Sequence, residues 1–325
     1  MPRSQITYMF PGQGAQYPSM AKLICQVSKN ASRIFAEANE ILNYDLLDLC
    51  TNGSEDDLKN TLITQPAIVT TSMALYKGLE EKLNDQGINI SPDIFSGHSL
   101  GILTAAIASK SLTLKDGIEI ASKRGEIMSK NYNIRPVTMS GVIGLNIDEV
   151  KKICNEATSS ENDRVDVANY NLKNQIVISG HVSAVSKAEK IAQSKRAKVI
   201  NLKVRVSSHT KLHIDESKEF ADVINNYNFA MPDTPVLSNI SSKILNSAEK
   251  IKFELSNQIH KPVLWYKNME TLSLNNINIF IEIGPGNVLS RLVKKFMPNV
   301  LSFSISKDSI DNYPVGSILN HRGEF

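Results

Sequence analysis

Gly97-His98-Ser99-Leu100-Gly101 sets a serine between two glycines at Gly-X-Ser-X-Gly spacing. The apolar pair Ile94-Phe95 precedes it, and the small-residue run Thr104-Ala105-Ala106-Ile107-Ala108 follows. A strand that turns sharply into a helix at such a serine strains its backbone and pushes the hydroxyl outward, the nucleophile-elbow arrangement. Gly97 and Gly101 fit because strand and helix pass close together there. The helix that starts at the turn aims free N–H groups at any oxyanion on an acyl group carried by Ser99. The Leu100 N–H is the first such donor. The same five residues also fit a plain structural turn. The strand before and the Ala-rich helix after favour the nucleophile. His98 is adjacent in sequence, so its side chain is expected to point away from Ser99 and to serve packing or loop bonding.

A serine hydroxyl needs a neighbouring base near neutral pH. Six histidines are available: His98, His181, His209, His213, His260 and His321. His181 opens a helix, His260 precedes Lys261-Pro262 in a turn, and His321 sits near the end of the chain. His209 stands where an apolar strand stops at Ser207-Ser208, a common seat for catalytic loops. His213 follows at i+4, which raises zinc. The intervening Thr210, Lys211 and Leu212 supply no general-base Glu and place a cation between the two, so no metal site is expected. On residues alone the choice among the histidines stays open, with His209 the candidate. Asp215 and Glu216 are near it in sequence but are expected on a helix surface, and a backbone carbonyl is the alternative means of fixing the tautomer.

A second glycine-bearing loop, Pro11-Gly12-Gln13-Gly14-Ala15-Gln16, follows the strand Ile6–Phe10. It lacks the third glycine of a dinucleotide loop, Tyr17 standing there instead. Its glycines let a backbone N–H, most simply that of Gln13, approach a ligand closely.

Positioning these groups requires several elements. Helices are predicted at about 20–27, 31–42 and 64–79, the last with Pro66 near its first turn. Another spans 114–130, where Ile118, Ala121, Gly125 and Met128 share one face. Arg124 lies beside that stripe, and a solvated arginine is the ordinary expectation. From 132 to 203 the pattern reads strand 137–145, helix 147–157, strands 165–169 and 175–179, helix 183–194 and strand 199–204. That β-α-β-β-α-β order is ferredoxin-like and forms a small inserted subdomain. A polar helix begins near 212, and 235–239 is a short strand. Residues 253–258 are helical, 262–265 form a turn, 277–283 a strand, 288–296 a helix and 300–305 the last clear strand.

At 325 residues and 42% hydrophobic content, the chain has the size and composition of an enzyme of one large and one small unit. A net charge of +3 is too weak to indicate nucleic acid or a membrane surface. No apolar run reaches the roughly 18 residues of a membrane span. Met1-Pro2-Arg3-Ser4-Gln5 leads straight to a strand, so no signal peptide is expected. Cys25, Cys50 and Cys154 lack metal spacing and read as reduced cytosolic thiols. Asn320 to Phe325 is polar and patternless, and residues 311–325 are read as a tail.

Four separated stretches together resemble the malonyl-CoA:acyl-carrier-protein acyltransferases: Phe10–Gln16, Thr64-Gln65-Pro66-Ala67, Gly97–Gly101 and Val206-Ser207-Ser208-His209. Arg124-Gly125, Ala168-Asn169-Tyr170-Asn171, Gln175–Gly180 and Gly284-Pro285-Gly286 add to the likeness. It covers about 5–305. The resemblance implies an α/β fold with an α/β-hydrolase-like large subdomain on a parallel sheet (1–131 and 204–310) and an inserted ferredoxin-like small one (132–203). It further implies Ser99 as nucleophile, His209 as base, and the Gln258 main-chain carbonyl as the group that orients His209. Gln13 and Leu100 match the two backbone oxyanion donors, and Arg124 the arginine that binds the free malonyl carboxylate.

The implied activity is transfer of malonyl from malonyl-CoA to the phosphopantetheine thiol of an acyl carrier protein through a seryl ester. It needs no resident cofactor or metal. The setting is fatty-acid synthesis or polyketide assembly, in a cytoplasmic monomer. Ile102 and Leu103 replace the Glu-Tyr usual after the serine motif, and Lys203 and Arg205 charge the strand before His209. These departures leave the chemistry intact, bear on the carrier surface, and lean toward a free-standing polyketide acyltransferase. Leu100 implies unbranched malonyl, since relatives taking methylmalonyl tend to carry Gln there. Two other readings remain: a hydrolase clearing stalled carriers, against which Arg124 speaks, and a non-catalytic carrier-binding module, against which the Ser99/His209 pair speaks.

Overall fold

The computed structural model describes residues 4–130, 136–202, 207–306 and 315–322. Ten strands form two sheets among them: β1 (Gln5–Phe10), β2 (Ile94–Gly97), β3 (Val137–Ile143), β4 (Val165–Leu172), β5 (Gln175–His181), β6 (Lys198–Asn201), β7 (Val236–Leu237), β8 (Ile244–Leu245), β9 (Ile277–Ile283) and β10 (Leu301–Ile305). The larger sheet runs β10-β9-β1-β2-β7-β8, parallel throughout except for the antiparallel β7–β8 pair at its edge. Its central strands are covered on both faces, which is why they read as near-continuous apolar runs. Tyr8, Phe10 and Phe95 pack with Tyr76 at ring separations of 5.8–6.2 Å. Tyr76 comes from helix Thr61–Asp85, whose residues are buried almost all round.

The smaller sheet is antiparallel in the order β4-β5-β3-β6. With helices Ile147–Ala157 and Val182–Ser194 it has the expected ferredoxin-like order and its own apolar core around Val150, Ile153, Ile178 and Val185. The two sheets are stitched together at β4. The Tyr170 N–H donates to the Val263 carbonyl (2.8 Å), the Val263 N–H to the Ala168 carbonyl (2.9 Å), and Leu172 packs among Met9, Leu237 and Trp265. The expected subdomain boundaries at 131/132 and 203/204 fall on segments outside the described residues.

Several elements depart from expectation. The helix expected at 64 starts at Thr61, because Asn60 caps it by accepting from the Leu62 N–H (3.2 Å). Pro66 therefore lies inside the helix. The helix expected over 20–27 is confined to Ile24–Val27. Helices Leu46–Asn52 and Glu55–Lys59 were not anticipated, being too short to show a period. The turn expected at 262–265 opens into helix Trp265–Leu274, which has no side-chain cap to announce it. Residues 311–325, read as a tail, contain helix Val315–Arg322, and its Ile318 is buried in the large core.

At the elbow backbone packs directly against backbone. A Cβ on Gly101 would stand 2.0 Å from the Phe10 carbonyl oxygen, and one on Gly97 2.2 Å from the Gly101 carbonyl carbon. Both neighbours are backbone and cannot give way locally. Gly101→Ala is therefore expected to cost about 3 kcal/mol or to prevent folding. Thermal unfolding of the variant against the parent, and soluble yield where no variant is recovered, measures this.

Candidate active site

Ser99 sits where β2 passes into helix Gly101–Ala108, with φ +51°, a left-handed conformation that non-glycine residues adopt only when their surroundings impose it. The predicted elbow is therefore present. The His98 N–H donates to the Phe10 carbonyl (3.0 Å) and the Gly101 N–H to the His98 carbonyl (3.0 Å), which ties the turn to β1. Among the described residues, neither the Gln13 nor the Leu100 amide N–H has a hydrogen-bond acceptor. Gln13 lies in the cavity wall with Ser99, its side-chain Nε2 donating to Thr61 Oγ1 (3.3 Å). Leu100 is buried at the start of the helix.

His209 comes from the segment after the small sheet, also with positive φ (+66°). Its Nε2 lies 2.7 Å from Ser99 Oγ. Its Nδ1 is 2.8 Å from the Gln258 carbonyl oxygen and 3.1 Å from that of Lys261, and its own N–H donates to the Ile259 carbonyl (2.6 Å). Two acceptors at Nδ1 require the proton there, so the lone pair on Nε2 faces the serine hydroxyl. Among the described residues no acid side chain is bonded to His209. Glu216, expected on a helix surface, is buried. It faces His213 Nδ1 at 3.5 Å, while His213 Nε2 meets Ser207 Oγ at 2.6 Å. His213 is thus committed to the loop that carries His209. Among the described residues, no group of three or more His, Cys, Asp or Glu side chains is arranged to hold a metal.

Burial, with the Arg124 charge as a further cause, pushes the His209 pKa down to about 3. The imidazole is therefore neutral, the form a general base requires. A His whose folded pKa is depressed contributes stability that is complete above its ordinary value near 6.5 and is lost as pH falls toward about 3. The kcat/KM for acylation of the free enzyme is accordingly expected to show no histidine ionisation between about pH 5 and 8. Its acid limb should move upward in Arg124→Ala, because one of the charges disfavouring the imidazolium is gone. A pH–rate profile of the two proteins checks both statements.

Arg124 is 2% exposed, so the solvated position ordinarily expected of an arginine is not where it lies. Nη1 donates to Gln65 Oε1 (2.9 Å), Nη2 to Gln258 Oε1 (3.2 Å), and Nε has no partner. Gln65 is anchored in turn by Nε2 on the Met128 sulfur (3.3 Å). Burial lowers the guanidinium pKa to about 10, which leaves it charged at neutral pH. Among the described residues no carboxylate pairs with it. A buried cation held by uncharged amides is costly until an anion arrives.

Ser99, His209 and Arg124 line one cavity of about 490 Å³, with Gln13 at one side and Asn169 and Gln175 of the small sheet at the other. Gln258 serves the site twice: its main-chain oxygen holds His209 and its side chain holds Arg124. His98 also lines the cavity. Its Nε2 meets Asn171 Oδ1 at 3.0 Å and its ring is tilted against Trp265. It is a loop-bonding residue, as expected, and it joins the elbow to the small sheet. Sequence reasoning missed the structural parts played by Gln65, Asn171 and Asn239. Gln65 and Asn171 stood within recognisable motifs without an assigned role, whereas Asn239 carried no signal. Ile102 and Leu103 are both buried in the large core. Lys203, Arg205 and Val206 lie outside the described residues. The Cys50 thiol is pushed by burial up to about 12 and Cys25 to about 11, so neither is a competing nucleophile at neutral pH.

A family model described as the acyl transferase domain matches residues 7–306. The malonyl CoA-acyl carrier protein transacylase of Bacillus subtilis (strain 168) is 34% identical over 304 residues, 93% of this chain and 94% of that protein. Among solved structures, FabD from Acinetobacter baumannii superposes with a TM-score of 0.90 at 30% identity, covering 98% of this chain and 99% of that one. A malonyl-transacylase solved in complex with a type II PKS acyl-carrier protein (PlMCAT:AntF) gives 0.87 at 30% identity, covering 95% and 100%.

Proposed function

This chain belongs to the acyl transferase family of malonyl-CoA:acyl-carrier-protein transacylases, and on that premise we propose that it moves malonyl from malonyl-CoA to a carrier-protein thiol through an ester on Ser99. His209 Nε2 takes the Ser99 proton as Oγ attacks the thioester carbonyl. The oxyanion rests on the Gln13 and Leu100 N–H groups. The C–S bond breaks, and the CoA sulfur leaves with the proton held by His209. The phosphopantetheine thiol of the carrier then gives its proton to His209 and attacks the ester. Ser99 Oγ leaves and recovers the proton. His209 stays bonded to the carbonyls of Gln258 and Lys261 throughout, so its ring does not turn between the half-reactions.

The observation that carries the malonyl reading is Arg124: a buried guanidinium with only neutral partners, in the cavity that holds the Ser99–His209 pair. A free carboxylate one carbon beyond the thioester carbonyl is the substrate feature that matches it. The reaction needs no resident cofactor or metal. The carrier belongs to fatty-acid or polyketide synthesis, and the enzyme acts as a cytoplasmic monomer. No helix among the described residues is long and apolar enough to cross a membrane.

Intact-mass spectrometry after mixing with malonyl-CoA tests the proposal. A malonyl adduct on Ser99, discharged by phosphopantetheinylated carrier and not by its unmodified form, is the expected result. Loss of the adduct to water without a carrier would make the protein a hydrolase, and absence of any adduct would overturn the enzyme reading.

A further inference from the structure

The segment Leu237–Ser241 takes no part in the chemistry above, yet it grips the nucleophile. Asn239 Oδ1 accepts from the Ser99 N–H (2.7 Å) and its Nδ2 donates to the Gly97 carbonyl (2.6 Å). One fully buried amide thus holds the backbone on both sides of His98, at the point where Ser99 is forced to φ +51°. Asn239 is fixed in turn. Its N–H donates to Glu254 Oε1 (2.8 Å) and its carbonyl accepts from the Leu264 N–H (2.8 Å). Glu254 also takes donors from Ser238 Oγ (2.5 Å) and the Ile240 N–H (3.3 Å), and Ser238 Oγ accepts from both the N–H and the hydroxyl of Ser241. Each polar atom of Asn239 has a partner, and an acceptor at Oδ1 with a donor at Nδ2 fixes the orientation of the amide.

Resting on the reading of Ser99 as nucleophile, we propose that Asn239 is a positioning residue for the acylation step. Its amide holds the Gly97–Ser99 backbone in the strained turn that presents Oγ to His209 Nε2 and leaves the Leu100 N–H aimed at the oxyanion. It touches no reacting atom. It acts on the rate of attack at Ser99 and not on recognition of the malonyl carboxylate, which lies with Arg124.

A fluorophosphonate probe reads this directly, because it labels an activated serine whatever acyl group the enzyme prefers. Ser99 Oγ bonds to phosphorus, fluoride leaves, and the proton goes to His209. Asn239→Ala is expected to slow labelling on the order of 10²-fold, as a small misplacement of a catalytic group can, while malonyl-CoA binding by calorimetry, compared between Ser99→Ala and Ser99→Ala/Asn239→Ala so that no ester forms, stays within about twofold. Asn239→Asp supplies a second test that needs no comparison of folded yields. An ionised Asp keeps the acceptor for the Ser99 N–H but turns an acceptor toward the Gly97 carbonyl. Its protonated form restores the donor and reproduces the amide. The labelling rate of Asn239→Asp relative to the parent should therefore rise as pH falls, since burial raises the pKa of a carboxyl and favours the protonated form.

A ratio that is flat or falls with acidity overturns the proposal. So does an Asn239→Ala protein labelled at the parent rate, or one whose malonyl-CoA binding falls in step with its labelling. If the parent reacts with the probe but takes no malonyl from malonyl-CoA, the functional reading above fails while the positioning claim is still decided by the two variants.

Discussion

His209→Ala is expected to lower the rate of malonyl-adduct formation on Ser99 on the order of 10⁴-fold, the upper range for loss of a positioned general base. The size follows from the geometry. His209 Nε2 is 2.7 Å from Ser99 Oγ, its tautomer is fixed by two carbonyl oxygens, and its pKa is held low enough for the neutral ring to prevail at every pH of interest. The serine hydroxyl retains no other base within hydrogen-bond reach among the described residues. Rapid-quench mass spectrometry with malonyl-CoA measures the loss, and a decrease smaller than tenfold would remove His209 from the role. Gln258→Ala makes a contrasting case. Its part in holding His209 is played by the main-chain oxygen, which alanine keeps. The variant loses only the side-chain bond to Arg124 Nη2. It should acylate within about tenfold of the parent and show its defect in the preference for malonyl over acetyl.

What the sequence disclosed and what it hid follow one physical division. The elbow was legible because the turn, the close backbone approach and the free helix N-terminus constrain residue types within a single short stretch: Gly97 and Gly101 have no room for a Cβ. The alternation of strands and helices over 137–201 was legible for the same reason, since each element there carries its own apolar period. The base was not legible on residues alone. Nothing within a few positions of His209 identifies its partners, which are the carbonyls of Gln258 and Lys261, and a main-chain oxygen leaves no mark on residue type. Resemblance to a family supplied that pairing where local pattern did not. Arg124 is the sharpest case. Its helix showed an apolar stripe with a cation beside it, a pattern that usually means a solvated rim. It is buried, and its partners are Gln65, inside a distant helix, and Gln258, just past the end of another. The same holds for Asn239, whose bonds to Gly97 and Ser99 come from the turn after β7.

The second large effect is on selectivity. Arg124→Ala should change the ratio of malonyl to acetyl transfer by on the order of 10²-fold or more, through loss of malonyl transfer. Malonyl and acetyl thioesters differ by one carboxylate, so all discrimination must come from what that carboxylate meets. A guanidinium offers it parallel charge-assisted bonds worth about 1.5–3 kcal/mol each. Two of them, reduced by the bonds Nη1 and Nη2 already make to Gln65 and Gln258, leave about 3 kcal/mol, or roughly two decades at about 1.4 kcal/mol per decade. The neutral partners matter here. Were Gln65 a glutamate, its carboxylate would already occupy the fork, and Gln65→Glu is expected to lose malonyl selectivity almost as fully as Arg124→Ala while keeping the arginine. Arg124→Lys should fall between, since an ammonium supplies charge without the planar fork. Single-turnover transfer from malonyl-CoA and acetyl-CoA, with rates of Ser99 acylation taken separately for each, decides it. Equal losses for the two acyl groups, or no loss for either, would detach Arg124 from the carboxylate. Because Arg124 also helps to keep His209 neutral, its removal should leave acetyl transfer unimpaired near pH 7 and lower it only as the medium becomes acidic.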